Sequence, residues 1–191
     1  TLVCLTNFLN IPKRFFWWIT KKANRLIKIK KCNVCGASFG MFTSYRGGRK
    51  NLNQFLLKLD IIGSDLDNFG CLYCGCHDRV RHLFLFFERL LFWEKFSNSS
   101  ILHFAPEKHL QDKIEKLKPN KYVKADLFPT DAGIEKIDAT AIPYGERSFD
   151  IIIANHILEH IPDFEKALSE FYRVLKPAGH AIIQTPCSAI L

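Results

Sequence analysis

FDIIIANHILEHIPDFEKALSEFYRVLKPAGHAIIQT, residues 149–185, decides the fold. It opens on Phe149–Ala154, where an unbroken Ile151-Ile152-Ile153 run suits a strand buried on both faces. Asp163 is placed to cap a helix that runs to about Leu175, and Lys176-Pro177-Ala178-Gly179 stops it. His180–Thr185 is strand-like again. A strand, a crossover helix and a second strand predict neighbours in a parallel sheet.

The same alternation extends upstream. Ile101–Ala105 is a short apolar strand, and Pro106 suits the first turn of a helix running to about Leu117. Lys118-Pro119-Asn120 is a turn, Tyr122–Leu127 a second strand carrying Asp126, and Ile137-Asp138 a short third one. The expected class is α/β, with about five parallel strands. In such sheets ligands bind beyond the carboxyl ends of the strands. Function should therefore sit near Ala105-Pro106-Glu107, Asp126, Asp138 and Asn155-His156.

Further upstream the composition changes. Residues 1–50 hold eleven Lys/Arg and no Asp or Glu, whereas residues 51–191 hold sixteen against nineteen. The overall charge of +8 thus belongs to the N-terminal part, which suits a polyanion such as nucleic acid or a membrane surface, or else a solubilising arm. Phe15-Phe16-Trp17-Trp18-Ile19 beside Lys21, Lys22 and Arg25 suits a membrane-interface helix or a helix packed on the main domain. There is no run of about eighteen apolar residues, so no transmembrane helix is expected. No signal peptide is evident, and a cytoplasmic location follows, either free or peripheral to a membrane.

Of seven cysteines, four form two C-x-x-C pairs, Cys32/Cys35 and Cys71/Cys74. Without a secretion signal this spacing favours a closed four-thiolate structural zinc site over disulfides; two unmetallated knuckles, or Cys76 replacing one ligand, are the alternatives. Arg79 and Arg81 follow the second knuckle and suit either phosphate contacts or a covered helix face. The organisation is a basic aromatic lead-in (1–31), a four-cysteine zinc-ribbon-like module (32–76), a connecting amphipathic helix (77–97) and an α/β domain (98–191).

Residues 138–186 resemble the core of class I S-adenosylmethionine-dependent methyltransferases of the type 11 kind. The pieces that carry the resemblance are Asp138, Ile142-Pro143-Tyr144, Ser148-Phe149-Asp150, His156–His160 and Arg173–Gly179. CLYCGCHDRVRH (71–82) and ILHFAPE (101–107) are similar to a subgroup that places a two-knuckle zinc module before this domain. The resemblance implies a Rossmann-like sheet, S-adenosylmethionine as cofactor, and methyl transfer to a small molecule, sugar or nucleic acid. It implies that Asp126, with Leu127 beside it, takes the ribose hydroxyls and that Asp138 and Ala139 flank the adenine. Asn155 and His156 would floor the methionine, and His156 is the candidate base. Phe104, Ala105, Pro106 and Glu107 form the loop after the first strand. This loop departs from the usual glycine-bearing pattern: Ala105 is its only small residue, and Glu107 is placed to receive the cofactor's ammonium group. Against the resemblance, the chain reads as a fragment with the carboxyl end of the domain missing.

Two other readings compete. One is a non-catalytic methyltransferase-like protein that docks nucleic acid or membrane through its basic zinc module. The other rests on His156-Ile157-Leu158-Glu159-His160, which fits the H-x-x-E-H of inverted zinc peptidases. That motif needs a long helix, whereas here it follows a buried strand and Pro162 soon interrupts it.

Overall fold

The computed structural model describes residues 22–54, 58 and 61–188. The aromatic cluster 15–19 lies outside them. Five parallel strands form the main sheet: β4 (Ser100–Phe104), β5 (Lys121–Asp126), β6 (Glu135–Lys136), β7 (Phe149–Asn155) and β8 (Leu175–Gln184), in the order β6-β5-β4-β7-β8. β4 is the central strand, paired with β5 on one side and β7 on the other.

Side chains alternate across the strands and feed two cores. Leu102, Phe104, Ile152 and Ala154 face one way, against Ala167, Phe171 and Val174 of helix α4 (Phe164–Val174). Ile101, Ile151 and Ile153 face the other way, against α1 (Asp78–Arg89), α2 (Trp93–Phe96) and α3 (Lys108–Lys116). Asp163 caps α4 as expected, its carboxylate accepting from the Lys166 amide at 3.1 Å.

The third strand is Glu135–Lys136, two residues earlier than the Ile137-Asp138 that apolarity suggested. Pairing decides this: Ala125 and Asp126 stand opposite Glu135 and Lys136, while buried Ile137 plugs the core just beyond. β8 begins at Leu175, before the expected stop. Its register slips between Leu175 and His180, so Lys176–Gly179 bulge and regular pairing starts at His180. Lys176 holds the bulge through Asp150, at 2.8 and 3.0 Å, and a Cβ on Gly179 would come within 2.9 Å of the Asp150 carbonyl oxygen.

The connecting helix expected over 77–97 is broken in two. Leu91 adopts φ 53°, the Phe92 amide bonds back to Phe87 O at 2.8 Å and the Leu91 amide to Glu88 O at 3.2 Å. This is a Schellman C-cap with leucine in the position usually given to glycine. Its apolar contact is the stack of Phe92 on Phe87, centroids 5.2 Å apart.

The N-terminal module is built from two like turns. In Cys32-Asn33-Val34-Cys35-Gly36 the Gly36 amide bonds Cys32 O at 2.8 Å; in Cys71-Leu72-Tyr73-Cys74-Gly75 the Gly75 amide bonds Cys71 O at 3.0 Å. Both glycines have φ near +75°, which a side chain would resist. Strands β1 (Lys30–Lys31) and β2 (Ser38–Phe39) flank the first turn and bury Phe39. A short antiparallel pair, β3 (Ile61–Ile62) with β9 (Cys187–Ser188), ties the loop between the knuckles to the end of the described chain. No helix among the described residues is long and apolar enough to cross a membrane.

Left-handed leucine costs about 1–2 kcal/mol, and glycine's extra freedom in the unfolded chain returns about 0.4–1. Leu91 is 67% exposed, so little packing is lost by removing it. Leu91→Gly is expected to raise stability by about 0.5–1 kcal/mol in urea unfolding; a destabilised variant would contradict the strain argument.

Candidate functional site

A cleft of about 350 Å³ opens at the carboxyl edge of the sheet. Seven of the ten residues expected to meet a cofactor line it: Phe104, Ala105, Asp126, Leu127, Asp138, Ala139 and His156. Phe128, Ile137, Ile157, His160 and Ile161 line it too and were not anticipated. Phe128 and Ile157 had a usable signal, since each stands within two residues of a strand end. Pro106, Glu107 and Asn155 do not line this cleft; Glu107 and Asn155 bond each other beside it.

Both acids use one oxygen on their own turn. Asp126 Oδ1 accepts from the Phe128 amide at 2.8 Å, and Asp138 Oδ1 accepts from the Thr140 amide and hydroxyl, each at 2.8 Å. The Thr140 bonds hold Asp138 below the usual carboxylate range. Each Oδ2 makes no hydrogen bond among the described residues, so each acid caps a turn and still offers an acceptor to the cleft.

The two central strands end alike. Ala105 has φ 43° and donates its amide to Ala125 O at 2.8 Å; His156 has φ 54° and donates its amide to Gln184 O at 2.7 Å. Non-glycine residues held there cost about 1–3 kcal/mol each and persist only when their surroundings over-determine them. At Ala105 an alanine holds a left-handed position that glycine would adopt without strain, and it puts a methyl group at the cleft.

Both ring nitrogens of His156 are buried and have no hydrogen-bond partner; Glu159 Oε1 stands 3.7 Å from Nδ1. Burial, then the charge of Arg79, pushes the imidazole below its ordinary 6.5. His156, Glu159 and His160 gather no metal set among the described residues, and the motif lies on a 3-10 turn (Leu158–His160) instead of a long helix.

Behind the loop runs a buried polar chain that the sequence did not reveal. His103 is fully buried in β4, with Nδ1 2.8 Å from the Tyr122 hydroxyl and Nε2 3.0 Å from Glu107 Oε2. Asn155 Nδ2 donates to Glu107 Oε1 at 3.1 Å, and Asn155 Oδ1 is buried without a partner. Burial works to raise the Glu107 pKa, but the His103 bond and charge bring it below the ordinary value. The signal was a single polar residue, His103, inside an apolar strand.

In the module, the sulfurs of Cys32, Cys35, Cys71 and Cys74 all lie within 4.8 Å of one another. Tetrahedral metal-thiolate geometry with bonds of about 2.3 Å spaces its sulfurs by a little under 4 Å, so the set fits a divalent metal. Cys76 is a fifth, buried thiol, 3.5 Å from Cys32. Arg81 serves neither phosphate nor solvent. It is buried, donates to the carbonyls of Asn68, Phe69 and Cys76, and lies 3.9 Å from the Phe42 ring centre.

An acid at the end of the second strand, another after the third, and an apolar cleft between them stand at the carboxyl edge, where open α/β sheets hold their ligands. Residues 112–183 match the family model described as a methyltransferase domain. The match begins after the glycine-free loop and includes Asp126, Asp138 and His156. Among curated relatives, the chain is 35% identical over 60 residues to a demethylmenaquinone methyltransferase of Lactobacillus johnsonii, covering 31% of this chain and 25% of that protein. It is 33% identical over 87 residues to the polyketide synthase-nonribosomal peptide synthetase TwmB of Talaromyces wortmannii, covering 46% of this chain and 3% of that protein. The chain thus spans a quarter or less of these relatives. Solved structures that resemble it include a SAM-dependent methyltransferase from Aquifex aeolicus (TM-score 0.39, 16% identity, 50% of this chain and 61% of that one). Another is the methyltransferase CalH in complex with SAH (TM-score 0.41, 16% identity, 49% and 33%).

A depressed imidazole has a definite sign in stability. Below about pH 6.5 the unfolded chain binds a proton that folded His156 resists, so stability present above that pH is lost as pH falls through the folded value. The His156 resonance should titrate below 6.5 by NMR, and His156→Gln should flatten the acid limb of the stability profile. A midpoint at or above 6.5 would contradict the buried, unpartnered environment.

Proposed function

We propose that the chain is an S-adenosylmethionine-dependent methyltransferase with a structural zinc in its N-terminal module. The observation that carries the reading is the convergence of Asp126, Asp138 and His156, separate in sequence, on one apolar cleft at the carboxyl edge. Asp126 Oδ2 suits the cis-diol of a ribose, because a carboxylate can accept from both hydroxyls. Asp138 suits the exocyclic amine of adenine, with Leu127, Phe128, Ile137 and Ala139 as apolar walls. When bound, the cofactor supplies a methyl group already activated by the sulfonium charge. The residues then need to align the acceptor and, for a hydroxyl or amine, remove a proton. His156 suits that task, being neutral near pH 7 with neither ring nitrogen in a hydrogen bond and Glu159 standing 3.7 Å from Nδ1. The acceptor is a small molecule, a sugar or a nucleic acid.

Calorimetry on the chain is expected to give one saturable site for S-adenosylmethionine or its demethylated product. Asp126→Ala should weaken binding roughly 10- to 100-fold, the worth of charge-assisted hydrogen bonds. No binding at millimolar ligand would overturn the reading.

The zinc reading rests on the gathered sulfurs of Cys32, Cys35, Cys71 and Cys74. Elemental analysis should return one zinc per chain, retained in Cys76→Ser and lost in Cys71→Ser with a fall in thermal midpoint. Retention of full zinc by Cys71→Ser would refute this ligand set.

A further inference from the structure

The cleft accounts for the nucleoside end of the proposed cofactor but leaves its amino-acid end without a holder. A zwitterion needs an acceptor for its ammonium and a donor for its carboxylate. The acceptors stand beside the cleft: the Glu107 carboxylate, kept ionised by His103, and Asn155 Oδ1, an orphan on a side chain only 4% exposed. Every buried polar atom there that lacks a partner, apart from the His156 ring, is an acceptor.

The donor comes from the helix after the second knuckle. α1 lies along β8: Phe92, just past its end, meets His180 with centroids 5.2 Å apart, and the groove between them is lined by His82 and Leu83 midway along α1 and by Gln184 at the carboxyl end of β8. The first turn of α1 is thereby carried to the carboxyl edge, where Gln184 also accepts the His156 amide. A second tether fixes the same corner. His109, in the first turn of α3, sits 2.9 Å through Nε2 from Cys74 O, bringing the knuckle to the helix that Glu107 caps. Arg79 is in that first turn of α1, half-buried, and has no ion pair or hydrogen bond among the described residues. Its positive charge bears on His156, as do the opposing negative charges of Glu159, Glu107 and Asp78. Asp78 itself turns inward, fully buried, with Oδ2 accepting from the Asp65 amide.

We propose that Arg79 holds the carboxylate of the cofactor's amino-acid end, across from Glu107 and Asn155, which hold its ammonium. The inference rests on the S-adenosylmethionine reading and deepens it. The helix that leads out of the four-cysteine module then contributes a residue to the cofactor site, taking over work that a glycine-rich loop does with backbone alone. A carboxylate borne by the methyl acceptor offers the same chemistry, so the test separates the two sources.

Binding is measured by calorimetry on the zinc-loaded chain with three probes: S-adenosylmethionine, its decarboxylated analogue, and 5′-methylthioadenosine, which lacks the amino-acid end. Arg79→Ala is expected to weaken S-adenosylmethionine roughly 10- to 100-fold, with Arg79→Lys in between. Wild type should lose a similar factor on going to the decarboxylated analogue, and Arg79→Ala should bind both about equally. Methylthioadenosine should bind wild type and variant alike, which shows the variant folded and the cleft intact. Unchanged S-adenosylmethionine affinity in Arg79→Ala overturns the inference and leaves the acceptor as the source of any carboxylate. Equal loss of all three probes also overturns it, by making Arg79 a structural residue. Failure of wild type to bind any of the three overturns the cofactor reading itself, and the inference with it.

Discussion

All five strands of the main sheet point the same way, and the site depends on that single constraint. Parallel pairing of β4 with both β5 and β7 brings Phe104, Asp126 and Asn155 to one edge. None of these residues is near another in sequence. The apolar residues that make this possible are those of the two strand faces, Leu102 and Ile152 on one side and Ile101, Ile151 and Ile153 on the other. A strand that must be buried on both faces cannot slip by one residue without exchanging its entire side-chain set, so the edge is placed as firmly as the core.

Much of this was readable because it is local. The Ile run of β7 and the Asp163 cap each act within a few residues, and the structure reproduces them, whereas the Pro-Ala-Gly stretch follows the helix end as a bulge inside β8. The misreadings share a different character. The end of α1 at Leu91 carries no glycine or proline; what stabilises it is Phe87 against Phe92, and both sink into a core that only the folded chain provides. The third strand is set by backbone pairing to β5, so its polar Glu135 and Lys136 gave no pattern to find. The His103 chain is long-range in every link but one: Tyr122 lies 19 residues away, and Asn155 lies 48 from Glu107. Periodicity can show that a polar residue is out of place in a strand, but not who its partner is.

The site itself divides in the same way. Asp126 and Asp138 were legible from their place after strands, and they meet the cleft while also closing their own turns. Glu107 was legible as a carboxylate in the right loop, but its bonds to His103 and Asn155 were not. Ala105 looked like a departure from a glycine-bearing loop. The structure shows how the departure is tolerated: Ala105 and His156, at the ends of adjacent strands, are both held left-handed by amide bonds to the next strand over. A floor pinned at two such points has little freedom to rearrange.

Arg81 joins the cysteine module to the α/β unit, and its partners have a consequence. Its hydrogen bonds go to carbonyl oxygens of Asn68, Phe69 and Cys76, and its flat face covers Phe42. Guanidinium keeps its proton at any pH a protein meets, and peptide oxygens have none to exchange. A joint of this kind works as a rivet: unlike a surface ion pair, it does not loosen when acid neutralises a carboxylate, and being buried it is poorly screened by salt.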